Sequence, residues 1–129
     1  MHGDSTATIE YAMAVLKVPH IIVCGHTHCG VMRALLFPEG VRSRPSRIGS
    51  GRAKPRAALK GSDRLIKTTQ ENVRSLLDHL RTHPSVALLL RKKKVDLHGW
   101  VYSISTGDVW VYDFAPSSPP LCWVTPFLA

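Results

Sequence analysis

The sequence has no hydrophobic run that approaches the roughly 20 apolar residues a membrane-spanning helix needs. Its first residues carry neither the basic nor the apolar segment of a secretory signal, so we expect a cytoplasmic protein. Cysteine is scarce and odd in number, at three residues, which argues against a disulfide framework. We therefore expect free thiols, which are available as metal ligands.

Acidic residues are also scarce, since nine Asp and Glu stand against 17 Lys and Arg, for a formal net charge of +8. Much of this excess lies in residues 42–64, which hold eight basic residues and a single acid, Asp63. The stretch has no aromatic side chain of the kind that stacks on single-stranded bases, so we do not expect nucleic-acid binding. We predict a solvated basic loop, rich in Gly and Pro, over residues 38–62.

Length and periodicity predict one α/β domain, because 129 residues are enough to bury a single core. Four segments repeat apolar residues at helical spacing, and three are rich in β-branched and aromatic residues. We predict helices at 6–17, 31–36, 63–83 and 85–91, and strands at 20–24, 95–104 and 109–114. Helices separate the first two strands, which should form a small, mostly parallel sheet, with the third strand antiparallel at its edge. The domain then covers residues 1–114, and residues 115–129 form a proline-rich tail.

The stretch HIIVCGHTHCGVMRALL, residues 20–36, carries the main chemical feature. Its first residues are continuously apolar, which predicts a strand covered on both faces, and Gly25 is expected to end it. His26 and Cys29 follow at a strand-to-helix junction, where α/β sheets place their ligands. Imidazole and thiolate are zinc donors, so the pair is a candidate metal site. The same pair also fits a packed cysteine beside a hydrogen-bonded histidine.

A working zinc site needs at least three protein donors, and spacing alone does not identify the third. Cys24 can share the face of His26 only if the chain stays extended through Gly25, so we expect Cys24 to pack in the core. Cys122 can take part only if the tail folds back. His98 lies on a predicted strand and is interpreted as a hydrogen-bonded structural residue.

Two long blocks of the sequence follow a known pattern. The first is STATIEYAMAVLKVPHIIVCGHTHCGVMRALL, and the second comprises TTQENVRSLLDHLRTHPSV and VDLHGWVYSISTGDVWVYD. In this order they resemble the β-class carbonic anhydrase family, over roughly residues 5–36 and 64–113. The resemblance implies that family's α/β fold, a bound Zn²⁺ with His26 and Cys29 among its ligands, and reversible hydration of carbon dioxide to bicarbonate. Zinc serves such a reaction by lowering the pKa of a bound water to about 7.

One family motif is missing from the sequence. The family's first zinc ligand is a cysteine in a C-x-D-x-R motif on an earlier strand, and this sequence contains no such motif. The resemblance therefore implies a truncated form of the fold, with an unpaired edge on the strand at residues 20–24. Such an edge favours pairing with another chain, so we expect a homo-oligomer. No catalytic acid or base is assigned, and Thr27 and His28 are interpreted as spacers.

Two alternatives to a carbon dioxide hydratase stay open at this stage. The chain could be a non-catalytic subunit or binding module of the same fold. It could also be a relative that hydrolyses carbon disulfide or carbonyl sulfide, because some family members do so with a similar zinc site. Carbon dioxide and bicarbonate remain the expected small-molecule substrates, since carbon dioxide is the common substrate of the family.

Overall fold

A computed structural model describes residues 3–37, 61–114 and 123–124 of the chain. The helices are α1 (Gly3–Tyr11), which continues as a π-helical turn at Ala12–Leu16, α2 (Gly30–Leu36), α3 (Gly61–Thr82) and α4 (Pro84–Arg91). The strands are β1 (His20–His26), β2 (Asp96–Tyr102), β3 (Val109–Tyr112) and β4 (Trp123–Val124). Within these ranges, no helix is both long and apolar enough to cross a membrane. Most of the predicted basic loop and of the proline-rich tail lies outside the described residues.

The four strands form one mixed sheet in the order β1-β2-β3-β4. β1 and β2 are parallel, with His20 opposite Asp96 and His26 opposite Tyr102. β3 is antiparallel to β2, and β4 is antiparallel to β3. The predicted α/β fold, the parallel first pair and the antiparallel hairpin are confirmed. The predicted edge position of β3 is wrong, because Trp123 and Val124 add a short strand that the proline-rich sequence around them conceals.

The core lies between α3 and one face of the sheet. α3 packs across β1 and β2, and it turns an apolar stripe toward them. The buried cluster consists of Met13, Val73, Leu77, Leu80, Val86, Val95, Leu97 and Val101. Each fully buried aliphatic side chain in such a cluster contributes about 1.5–3 kcal/mol relative to an exposed one. This packing fixes the position of β1, and therefore of the residues that follow it.

Two expectations about β1 are wrong. The strand does not end at Gly25 but runs through it to His26. It is also covered on only one face, since its side chains alternate between partly buried and exposed positions, with His20, Ile22, Cys24 and His26 exposed. Among the described residues, α3 packs on one face of β1, and the side chains of the other face are exposed.

Candidate metal centre

The two predicted ligands lie at the junction of β1 and α2, as their position in the sequence indicates. β1 ends at His26, Thr27 and His28 form a turn, and Cys29 immediately precedes α2. His28 has a left-handed φ of 58°, whereas Cys29 has extended dihedral angles of φ −62° and ψ 117°. The backbone N–H of Arg33 donates to the carbonyl oxygen of Cys29 at 2.9 Å, which attaches Cys29 to the first turn of α2.

Thr27 anchors this turn to the neighbouring strand. Its side chain is only 5% exposed. Its backbone N–H donates to the carbonyl oxygen of Tyr102 at 2.9 Å, and its Oγ1 accepts a hydrogen bond from the backbone N–H of Ile104 at 3.0 Å. Thr27 is therefore not a spacer: it connects the turn that carries both candidate ligands to the end of β2.

Gly25 allows β1 to lie close to α3 directly before the site. A Cβ atom at this position would lie 2.7 Å from Cγ2 of Thr69 and 3.0 Å from Cγ2 of Val73. Any larger residue would push β1 away from α3 or displace these side chains. The glycine that suggested a strand end in the sequence is thus required for close packing within the strand.

A hydrogen bond determines which nitrogen of His26 is free. Nδ1 of His26 lies 2.8 Å from the carbonyl oxygen of Thr27. A carbonyl oxygen only accepts, so Nδ1 must carry the proton, and in the neutral ring Nε2 then keeps its lone pair. Metal-binding histidines commonly have this arrangement, in which the second nitrogen donates to a carbonyl. The His26 side chain is exposed, so Nε2 is accessible for a ligand.

The donor set in the described residues is incomplete. No group of three or more His, Cys, Asp and Glu side chains able to hold a metal ion occurs within residues 3–37, 61–114 and 123–124. The expectation that Cys24 packs in the core is wrong: it is exposed and shares a face of β1 with His26, because the strand stays extended through Gly25. Its thiol, however, donates to the carbonyl oxygen of Gly25 at 3.4 Å. Cys122 lies outside the described residues. The His26 and Cys29 donors suit zinc in type, but they do not complete a zinc site.

The other histidines near the site have local partners. Nδ1 of His28 lies 3.3 Å from Oγ1 of Thr27. His98 is hydrogen-bonded, as expected, and its partner is another imidazole: its Nε2 lies 3.2 Å from Nδ1 of His20. His20 also lies 3.9 Å from a carboxylate oxygen of Asp96, on the neighbouring strand.

Sequence reasoning missed the roles of Thr27 and His20. The partner of Thr27 is Ile104, 77 positions along the chain, and the partner of His20 is His98, 78 positions along. No local pattern reveals such contacts, because they depend on the parallel register of β1 and β2. A sequence prediction of that register would have placed His20 opposite Asp96, and so close to His98.

The fold and the site define an α/β protein that presents a His-x-x-Cys pair at the carboxyl end of a sheet strand. The sequence profile of the carbonic anhydrase family matches residues 1–109, and the chain belongs to this family. A carbonic anhydrase of Pseudomonas aeruginosa is 39% identical over 121 residues, which are 88% of this chain and 55% of the relative. The chain thus spans about half the length of the curated relatives it matches.

Solved structures give the same assignment. The β-carbonic anhydrase CcaA superposes with a TM-score of 0.73 at 31% identity, over 88% of this chain and 60% of that one. One of two tetrameric β-carbonic anhydrases of Sordaria macrospora superposes with a TM-score of 0.68 at 26% identity, over 86% of this chain and 60% of that one. The fold is therefore that of the β-class.

Proposed function

We propose that this chain binds Zn²⁺ through His26 and Cys29 and serves the reversible hydration of carbon dioxide to bicarbonate. The observation that carries the proposal is the orientation of His26. Its Nδ1–H is held by the carbonyl oxygen of Thr27, which leaves Nε2 for a metal, and Cys29 follows on the same anchored turn. In a carbonic anhydrase fold, this is the pair of donors best placed for the family's metal.

The chain's own residues act by positioning. Thr27 holds the turn against β2, Gly25 lets β1 lie close to α3, and the Thr27 carbonyl selects the tautomer of His26. Bound zinc would supply Lewis-acid activation of water, as in other zinc hydratases. This chemistry requires a third protein donor besides His26 and Cys29.

The reaction is tested with purified chain loaded with zinc. We expect carbon dioxide hydration, followed by stopped-flow with a pH indicator, to exceed the buffer rate and to be lost in His26→Gln. His79→Gln is the matched control, because His79 is an exposed histidine on α3, away from the site. Wild-type chain that holds zinc but hydrates carbon dioxide no faster than buffer would contradict the proposal.

One observation favours the second candidate, a non-catalytic module of the same fold. The described residues contain no group of three donors able to hold a metal ion, so a chain that folds without zinc is physically reasonable. Thermal unfolding with and without a chelator separates the two functions: a non-catalytic module would have the same melting temperature in both, whereas a zinc-binding chain would melt lower with chelator.

We further propose that the chain is cytoplasmic and assembles with copies of itself, as the scarcity of cysteine and the exposed side of β1 suggest. Carbon dioxide and bicarbonate are the proposed substrates, rather than carbon disulfide or carbonyl sulfide. Parallel assays with carbonyl sulfide and carbon dioxide test this choice: faster turnover of carbonyl sulfide would overturn it.

A further inference from the structure

A cavity lies at the opposite end of the sheet from the candidate metal centre. It has a volume of about 180 Å³, and its lining residues are Met13, Ala14, Lys17, Val18, Leu89 and Lys94. Val18 and Lys94 stand two residues before β1 and β2, so the cavity is at the amino ends of these strands. His26 ends β1, about 20 Å along its seven residues. The cavity is therefore separate from the site at His26 and Cys29.

The inner wall of the cavity is apolar. Met13 is 4% exposed and belongs to the buried cluster, and Val18 and Leu89 pack against that cluster. Apolar cavities of about 150 Å³ hold a benzene-sized molecule, whereas pockets for larger ligands have about 300–1,000 Å³. The cavity therefore fits one phenyl ring or a short alkyl chain, and it is too small for a nucleotide.

Two lysines supply the charge of the cavity. Among its described lining residues, Lys17 and Lys94 are charged, and both are exposed. Lys17 has a left-handed φ of 51°, and its backbone N–H donates to the carbonyl oxygen of Ala12. The backbone N–H of Lys94 donates to the carbonyl oxygen of Leu89 at 3.0 Å. These bonds to the ends of two helices fix the backbone from which both lysine side chains extend.

The surroundings of the cavity carry an excess of positive charge. Residues 91–94 read RKKK and are all exposed. In the described part of the chain, ion pairs involve neither these residues nor Lys17, and Asp96 lies 3.9 Å from His20 instead. The ends of two helices meet here, but each end carries only about half a negative charge. Together they offset about one of the five positive charges, so the surroundings attract anions.

We propose that this cavity binds a small organic anion, a carboxylate or phosphate monoester that carries one apolar group of about phenyl size. The apolar group occupies the wall formed by Met13, Val18 and Leu89, and the anionic group lies at the ammonium groups of Lys17 and Lys94. The site therefore selects molecules that have both parts. It acts independently of the proposed zinc function, so its failure would leave that function standing.

The first experiment titrates ¹⁵N-labelled chain with phenyl phosphate, and separately with phenylacetate, and follows backbone amide shifts by NMR. We expect the largest shifts around Ala14, Val18 and Leu89, with a Kd of about 0.1–1 mM for ligands of this size. Inorganic phosphate and benzyl alcohol each carry half of the ligand and should bind at least about tenfold more weakly. Binding of either phenyl anion supports the inference, and the tighter one identifies the anionic group. Equal affinity for inorganic phosphate, or shifts away from the cavity, would overturn it.

Variants of the two lysines test the charge. Glycine readily adopts the left-handed conformation of Lys17, so Lys17→Gly removes the charge without strain. We expect Lys17→Gly and Lys94→Gln each to weaken binding of the tighter phenyl anion about threefold to fivefold at low salt. Lys67→Gln is the matched control, because Lys67 is an exposed lysine on α3 and does not line the cavity. An unchanged Kd in both lysine variants would refute the role of their charges.

Ala14→Leu tests the cavity without changing a charge. Ala14 is an exposed residue of the π-helical turn, and leucine is a good helix former, so the fold should persist while the larger side chain fills the cavity. We expect binding to weaken about tenfold or more, because the apolar group loses its place. Ala7→Leu, at an exposed position of α1 outside the cavity, should bind like wild type. A folded Ala14→Leu chain with unchanged Kd would contradict binding inside the cavity.

Discussion

At the residue scale, the candidate site depends on side chains that bind no metal themselves. Thr27 is buried and joins two strand ends, and Gly25 and Gly99 each allow α3 to approach the sheet closely. His26 is oriented by the carbonyl oxygen of Thr27. These contacts fix the backbone of the turn, so the geometry of His26 and Cys29 is set by their neighbours.

Thr27→Val should destabilise the chain. Valine has nearly the same shape but no hydroxyl, so the N–H of Ile104 loses the hydrogen bond that joins it to the buried Thr27 side chain. Loss of an ordinary intramolecular hydrogen bond costs about 0.5–1.5 kcal/mol, which urea unfolding monitored by circular dichroism can measure. Thr27→Ser keeps the hydroxyl and should lose much less stability. Equal losses in the two variants would show that the hydrogen bond has no role.

Gly99→Ala should also destabilise the chain, for a steric reason. The added Cβ would lie 2.7 Å from Cδ1 of Leu77 and 3.0 Å from Cβ of Tyr112. Overpacking of this kind costs about 1–3 kcal/mol in the free energy of unfolding. Gly61→Ala is the control, because an added Cβ at Gly61 meets no atom within 4 Å. The close packing described here would be disproved if both variants had wild-type stability.

At the element scale, α3 is the support of the site. Its stripe of Thr69, Val73, Leu77 and Leu80 is buried against β1 and β2.

Three charged residues on α3 form surface ion pairs: Arg74 lies 3.2 Å from Glu71 and 3.7 Å from Asp78. The hydrogen bond to Glu71 raises the pKa of Arg74, so this guanidinium is charged at neutral pH. Exposed pairs of this kind contribute well under about 1 kcal/mol each, so apolar burial dominates.

Leu77→Ala tests that support. Leu77 is 0% exposed, and truncation of a buried leucine costs about 2–5 kcal/mol. Leu88→Ala on α4 is the matched control, because Leu88 is 50% exposed and should lose less than about 1 kcal/mol. Thermal unfolding of both variants gives the comparison. Similar melting temperatures would mean that α3 does not hold the sheet in the way described.

The helices and strands show how far the sequence predicts the structure. The long stripe on α3 and the β-rich run of β2 predict their elements within a few residues, because their periodicity reflects burial on one face. The prediction that β1 ends at Gly25 was wrong because a glycine inside a strand and a glycine at its end look alike in the sequence. Only the close approach to Thr69 shows that this glycine lies within the strand. The strand at Trp123 and Val124 was missed because its pairing with β3 is a tertiary contact. The His26 and Cys29 pair was visible, whereas the register that brings His20 beside His98 was not.

At the scale of the whole molecule, the chain has the carbonic anhydrase fold over about half the length of its curated relatives. In the described sheet β1 is an end strand, and the described residues contain no group of three or more His, Cys, Asp and Glu side chains able to hold a metal ion. His26 ends β1, and Cys29 follows it directly before α2.

The most direct measurement is zinc per chain by elemental analysis for wild-type, Cys29→Ser and Cys24→Ser proteins prepared in the same way. The account predicts about one zinc per chain in wild type and in Cys24→Ser, and almost none in Cys29→Ser. Cys24 is the matched control because it is an exposed thiol on the face of β1 that carries His26. Zinc that survives in Cys29→Ser, or that is absent from wild type, would contradict a metal centre at His26 and Cys29.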